Sequence, residues 1–219
     1  VTGYDAVLFD NDGVLVTPPR YESQSGATRA AFEAVGVEDA RDEHVDAVVD
    51  GVSSAELREL CAGYDLDPAV FWAARERRDQ QSQFADFEAG ERDAYADLAA
   101  VRSLSVPTGV VSNNHHSTVE YVLDRFGLHD TVDTYYGREK TVDALDRKKP
   151  NTHYLDRALA DLDPSSALYV GDRESDVRAA HAAGLDSAFV RRDHNADVVL
   201  GVDPTHELDT LHDLRRLIE

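Results

Sequence analysis

Residues 6–15 read AVLFDNDGVL, an apolar run cut off abruptly by two carboxylates. Ala6, Val7, Leu8 and Phe9 are apolar and partly β-branched, which suits a short strand covered on both faces of a parallel sheet. Asp10 and Asp12 fall at its carboxyl end, the edge where open α/β sheets bind ligands. Gly13 follows and lacks the Cβ that would obstruct a tight turn or an approaching ligand. Acids at i and i+2 of an extended strand share a face, whereas past the strand end the second can offer its carbonyl while its side chain points elsewhere. Two ionised carboxylates held close call for a cation or a shared proton. Oxygen-only ligands favour Mg²⁺. Taken alone, the stretch is equally an Asn-Asp-Gly turn with a solvated Asp10.

Composition narrows the function classes. The 219 residues fit one large or two small domains and can bury a sizeable core. No apolar run nears the roughly 20 residues that span a bilayer, and the start of the chain shows no secretory leader, so no membrane partner is expected. The single cysteine, Cys61, excludes an intramolecular disulfide and fits a reducing cytoplasm. Against 43 acidic residues stand 22 basic ones, a formal net charge of -21. Such a surface repels nucleic acid and anionic lipid. Lysine occurs only at positions 140, 148 and 149, and acids are spread along the whole chain. That balance resembles proteins of a salt-loaded, halophilic cytoplasm, where high salt screens the self-repulsion.

After Leu15, the pair Pro18-Pro19 breaks regular structure. Residues 28–85 carry helical patterns without a convincing strand: 28–35 ending near Gly36, a helix capped by Ser53 or Ser54 with Glu56 in its first turn and running to Ala62, and a third after Asp67-Pro68 with Val70, Phe71 and Trp72 inward. The βα rhythm then returns. Helices are expected at 92–101, 119–126 closed by Gly127, after Pro150 through Leu162, and at 176–183 ended by Gly184. Strands are expected at 107–112, around 134–136, at 167–170 and at 187–190. Alternation of this kind implies an α/β fold, a mainly parallel doubly wound sheet, with residues 17–88 as a small helical domain inserted between 1–16 and 89–219.

Three more polar clusters follow those strands. Ser112-Asn113-Asn114 offers a hydroxyl and N–H groups that can hold a phosphoryl oxygen, or an ordinary helix cap. Lys149 stands before Pro150 in a chain where lysine is scarce, beside Lys148. Gly171-Asp172-Arg173-Glu174-Ser175-Asp176 is again a strand running into acids, and a capping aspartate explains either acid singly but not acid pairs at two strand ends.

FDNDGVL, VVSNN, KKPNTHYL and VGDRESDVRAAHAAG together resemble the four ordered motifs of the haloacid dehalogenase (HAD) superfamily, over residues 6–190. The helical insertion is similar to that family's C1 cap, and the chain resembles the family's phosphoglycolate phosphatases and β-phosphoglucomutases. The resemblance implies an Mg²⁺-dependent phosphatase of small phosphorylated metabolites. It makes Asp10 the nucleophile and a metal ligand, and Asp12 the general acid and base whose carbonyl also binds metal. Ser112, the N–H of Asn113 and Gly13 would hold substrate, Lys149 would neutralise the nucleophile and the transferring group, Asp172 would bind the metal directly, and Asp176 would bind it through water or orient Lys149. Asn11 departs mildly from the pattern, where an apolar residue is common, and its side chain is expected to matter little if it faces away from the metal. A phosphosugar mutase shares all these residues and is the alternative. A dehalogenase would need neither metal nor Asp12, and a phosphorylated receiver domain needs no cap. His115 and His116 are expected to be solvated turn residues, Trp72 and Cys61 buried, Arg20 and Tyr21 to line the cap interface and touch substrate, and Arg58 to join them or to hold a surface helix position.

Overall fold

The computed structural model describes residues 3–218, so residues 1, 2 and 219 of the expected core lie outside the described residues. Strand β1 (Ala6–Phe9) leads into helices α1 (Tyr21–Ala34), α2 (Asp42–Asp50), α3 (Ser54–Ala62) and α4 (Pro68–Glu88). The chain continues through α5 (Ala99–Arg102), β2 (Thr108–His115), α6 (His116–Arg125), β3 (Thr134–Arg138), α7 (His153–Leu162), β4 (Ala167–Gly171), α8 (Glu174–Ala182), β5 (Asp186–Val190), β6 (His206–Leu208) and α9 (Arg215–Ile218). The six strands form one sheet in the order β3-β2-β1-β4-β5-β6. β1 runs parallel to β2 and β4, and β4–β5 and β5–β6 are parallel too.

Alternation along the strands divides the apolar side chains between the two faces of this sheet. Val7, Phe9, Val110, Leu168 and Val170 join one buried cluster, while Leu8, Val111 and Tyr169 join another with Tyr154 and Leu155 of α7. The strand order reverses direction at β1, the switch point where α/β sheets open a crevice. Phe9 pairs with Val110 on one side and Val170 on the other. That register carries Asp10, Ser112 and Asp172, one or two residues further on, to the same edge.

The chain divides into two compact units, Val1–Thr17 with Ala94–Gly137 and Lys148–Glu219, and Pro18–Asp93 with Arg138–Arg147. The helical unit therefore takes in a return segment, 138–147, that the division from sequence left with the sheet. Val142 and Leu145 from this segment pack with Phe32, Phe71 and Trp72, and Asp146 accepts from the Ser54 backbone N–H at 2.9 Å. Helix α3 begins with a full capping box of Ser53 and Glu56, and the Asp67 side chain caps α4 ahead of Pro68. Phe71 and Trp72 are buried, but Val70 is 57% exposed, so the expected inward trio is a pair. Consecutive residues on a helix are about 100° apart, and three in a row cannot share a narrow core face.

The buried surface of α4 continues instead as charge. Arg75 meets Glu76 at 3.0 Å and Asp79 at 3.3 Å, Gln83 donates to Asp79, and Arg92 donates to Gln83. Arg138 closes the chain on Glu76 at 2.6 Å. Buried charges persist only when paired in this way. A helix α2 that the sequence had not suggested stands at 42–50. The expected helix at 92–101 is reduced to a 3₁₀ turn at Ala96–Leu98 and the four residues of α5. Its beginning is diverted because Ala94 bridges to Val16 and the Tyr95 N–H donates to the Leu15 carbonyl at 3.0 Å.

Candidate active site

Asp10 is fixed first by its backbone. Its N–H donates to the Val170 carbonyl at 2.9 Å, extending the β1–β4 ladder one residue past the strand. The chain then folds back at once, with Leu15 and Val16 both donating to the Asn11 carbonyl and Gly13 donating to Val16. Gly13 has φ +80°, and a Cβ there would lie 2.1 Å from Asp172 Oδ2. Both the turn and the closeness of the second acid therefore demand glycine. Gly13→Ala is expected to cost about 2 kcal/mol or more and to displace the Asp172 carboxylate. Urea denaturation of the two proteins checks this.

Lys149 brings the third segment in. Its Nζ lies 3.0 Å from Asp10 Oδ2 and 2.8 Å from Asp176 Oδ1. It also donates to the Tyr169 hydroxyl at 2.6 Å and to the Val111 carbonyl at 3.2 Å. The Lys149 backbone is gripped by the Asn113 side chain, whose Oδ1 accepts its N–H at 2.7 Å. Asp176 spends its other oxygen on the N–H groups of Asp172 and Arg173, at 3.1 and 3.0 Å, closing the turn into α8.

Oxygens of Asp10, Asp172 and Asp176 all lie within 4.8 Å of one another, and all three residues are buried. Asp10 and Asp176 thus share one ammonium, while Asp172 faces His194 and feels the charge of Arg173. Burial pushes the Asp10 carboxyl up to about 7, with Lys149 pulling it down and Asp176, Asp172 and Asp12 pushing further up. Burial likewise raises Asp172, against the hydrogen bond from His194. For Lys149, burial works against the charge, but Asp10 and Asp176 outweigh it and the net direction is upward. Asp172 Oδ1 is buried without a hydrogen-bond partner. A buried carboxylate oxygen left that way is costly unless a cation meets it. Oxygen donors carrying excess negative charge suit a hard divalent ion, so the residues present fit a metal.

Asp12 stands apart from this cluster. Its carboxylate accepts from Asn114 Nδ2 at 2.7 Å and from Asn11 Nδ2 at 3.1 Å. Asn11 is fully buried, and its side chain is one of the two donors on Asp12. The Ser112 hydroxyl is buried and accepts from the Asn114 N–H at 3.2 Å.

A family profile described as Haloacid dehalogenase-like hydrolase matches residues 7–190. The chain belongs to this family. N-acetylmuramic acid 6-phosphate phosphatase of Pseudomonas aeruginosa is 31% identical, with 85% of this chain and 81% of that protein aligned. Phosphoglycolate phosphatase of Neisseria gonorrhoeae is 28% identical over 94% of this chain and 88% of its own length. Among solved structures, CbbY of Rhodobacter sphaeroides in complex with phosphate superposes with a TM-score of 0.70 at 22% identity, covering 96% of each chain, a likeness of fold.

Within this HAD-like site, the structure gathers Asp10, Lys149, Asp172 and Asp176 into direct contact or near it, with Asp12 and Gly13 on the turn after β1 and Ser112 and Asn113 in the last half of β2. Sequence reasoning missed the partners. Asn114 was placed at this edge but not on Asp12, and Tyr169 on Lys149 and His194 and Asn195 on Asp172 escaped it altogether. Residues 191–195 form a polar run just past β5, so the rule that singled out the ends of β1, β2 and β4 would have found them. Tyr169 gave no signal, being one more apolar-looking strand residue. His115 is buried against Thr118 rather than solvated, because the β2 ladder extends to it; His116 is exposed and stacks on Tyr135. Arg58 and Tyr21 sit on the surface of the helical unit, paired with Asp143 and Asp46. Trp72 and Cys61 are buried.

Proposed function

We propose that this HAD-like hydrolase is an Mg²⁺-dependent phosphatase that cleaves small phosphate monoesters through an aspartyl-phosphate on Asp10. The observation that supports it most is the buried contact of Asp10 with Lys149 beside Asp172, whose Oδ1 has no hydrogen-bond partner. Asp10 attacks phosphorus in line and the leaving alkoxide takes a proton from Asp12, which splits one hard displacement into two. Asp12 then removes the proton from the water that releases phosphate. Lys149, the Ser112 hydroxyl and the Asn113 N–H face the phosphoryl oxygens, where negative charge is concentrated. Asp10, Asp172 and the Asp12 carbonyl would hold the ion, with Asp176 behind them. When bound, Mg²⁺ supplies the positive charge that lets an anionic nucleophile reach an anionic ester.

In this reading the helical unit is the family's C1 cap and the substrate is a small phosphorylated metabolite. Both curated relatives described above are named phosphatases, so the mutase alternative is not carried forward. The net charge of -21 and the single cysteine suit a salt-rich, reducing cytoplasm. No helix is long and apolar enough to cross a membrane among the described residues.

Phosphate release is measured from p-nitrophenyl phosphate, 2-phosphoglycolate and hexose 6-phosphates, in dilute buffer and in molar KCl. Turnover that needs Mg²⁺, vanishes with EDTA and improves in KCl is expected; metal-independent release, or none from any monoester, would sink the reading. Asp12→Asn is expected to slow alkyl phosphates by about 10²–10⁴-fold. p-Nitrophenyl phosphate should suffer less in its first step, since its leaving group needs little protonation.

A further inference from the structure

Residues 191–195 follow β5 at the sheet edge that carries the acids, and three of their side chains grip the two acid-bearing turns. His194 Nε2 lies 2.7 Å from Asp172 Oδ2. An ionised carboxylate only accepts, so the ring nitrogen facing it donates. The other ring nitrogen, Nδ1, lies 3.4 Å from the Tyr95 hydroxyl, and the Tyr95 ring sits under the Arg192 guanidinium at 4.0 Å. Asn195 Nδ2 donates to the Asp172 carbonyl at 2.9 Å and to the Val190 carbonyl at 3.1 Å. Arg192 donates to the Val14 carbonyl at 2.9 Å and is itself held by both oxygens of Asp97, at 2.8 and 3.1 Å. The main chain of Asp172 and the turn after Asp10 are therefore anchored by the same short segment.

What remains adjustable is the rotation of the Asp172 carboxylate. One of its oxygens is occupied by His194, and the other, Oδ1, is buried without a hydrogen-bond partner, in a residue whose carboxylate comes within 4.8 Å of those of Asp10 and Asp176. We infer that His194 is a positioning residue for the metal site: by occupying Oδ2 of Asp172 it presents Oδ1 to the cation. The role rests on the Mg²⁺ reading above and adds to it a residue outside the four motifs. His194 belongs to none of the buried apolar clusters, and its side chain keeps 31% of its surface exposed. Its removal therefore opens no core cavity and acts through Asp172. Groups that orient a metal ligand from behind are worth roughly 10–100-fold in metal affinity.

The test titrates Mg²⁺ calorimetrically into metal-free wild type, His194→Ala and His194→Gln, with melting temperatures of the three metal-free proteins and turnover against Mg²⁺ concentration. His194→Ala is expected to bind Mg²⁺ roughly 10–100-fold more weakly, and to regain a near-wild-type kcat once Mg²⁺ saturates. His194→Gln, whose amide N–H can donate from a similar position, should recover most of the affinity. An affinity for His194→Ala within twofold of wild type, or a Gln variant as weak as the Ala variant, would overturn the positioning role alone. A wild type that binds no Mg²⁺ would remove the metal reading and this role with it.

Discussion

Asp10→Asn is expected to abolish turnover, by about 10⁴-fold or more, while leaving the fold intact and the metal-free protein more stable above neutral pH. The first half follows from chemistry, since a carboxamide cannot form the acyl phosphate. The second follows from the site's electrostatics. Burial and three neighbouring acids outweigh Lys149 and lift the folded-state Asp10 from 3.8 to about 7. Between those two values the folded protein binds more protons than the unfolded chain, so Asp10's contribution to stability falls as pH rises through that window and levels off above it. The neutral amide removes that slope. Melting temperatures of metal-free wild type and Asp10→Asn, compared from pH 4 to pH 8, should diverge with rising pH in favour of the variant. Curves that stay parallel would show that Asp10 is not held in the crowded, buried state described here.

Lys149→Met acts in the opposite sense and is expected to be the most damaging single change to the metal-free protein. It leaves Asp10 and Asp176 without their shared ammonium in a site where both are buried. Removing one partner of a buried ion pair costs about 3–5 kcal/mol. Turnover should fall by about 10³-fold or more as the charge beside the transferring group disappears. Mg²⁺ should then raise the melting temperature of the variant by more than it raises that of wild type, because a cation that enters the cluster no longer meets a competing positive charge. Equal metal-induced shifts would mean that the ion does not bind among these carboxylates. The two substitutions together separate the chemical role of the Asp10–Lys149 pair from its structural one.

The acids that mark the site were legible because each ends an apolar run, and a parallel sheet gathers such ends at one edge. Asp10, Ser112 and Asp172 could be brought together by register alone. Their partners were not legible in the same way. Tyr169 looks like a sheet residue until its hydroxyl is seen to receive Lys149, and Asn113 acts through the main chain of a residue 36 positions away. Helix α4 shows the other limit. Its buried face carries Arg75, Glu76, Asp79 and Gln83 as well as Phe71 and Trp72, and hydrophobic periodicity cannot report a face whose burial is sustained by ion pairs. The return segment 138–147 was hidden for the same reason, since its strongest tie is the Arg138–Glu76 pair between residues 62 apart.

That return segment governs how such proteins can be recombined. Because the helical unit is drawn from two separate stretches of chain, a graft that exchanged only residues 18–93 with a relative would strand Val142 and Leu145 opposite a foreign apolar surface and leave Arg138 facing whatever replaced Glu76. Swapping both stretches together keeps their mutual fit, so the piece that can be exchanged between relatives is a bipartite one.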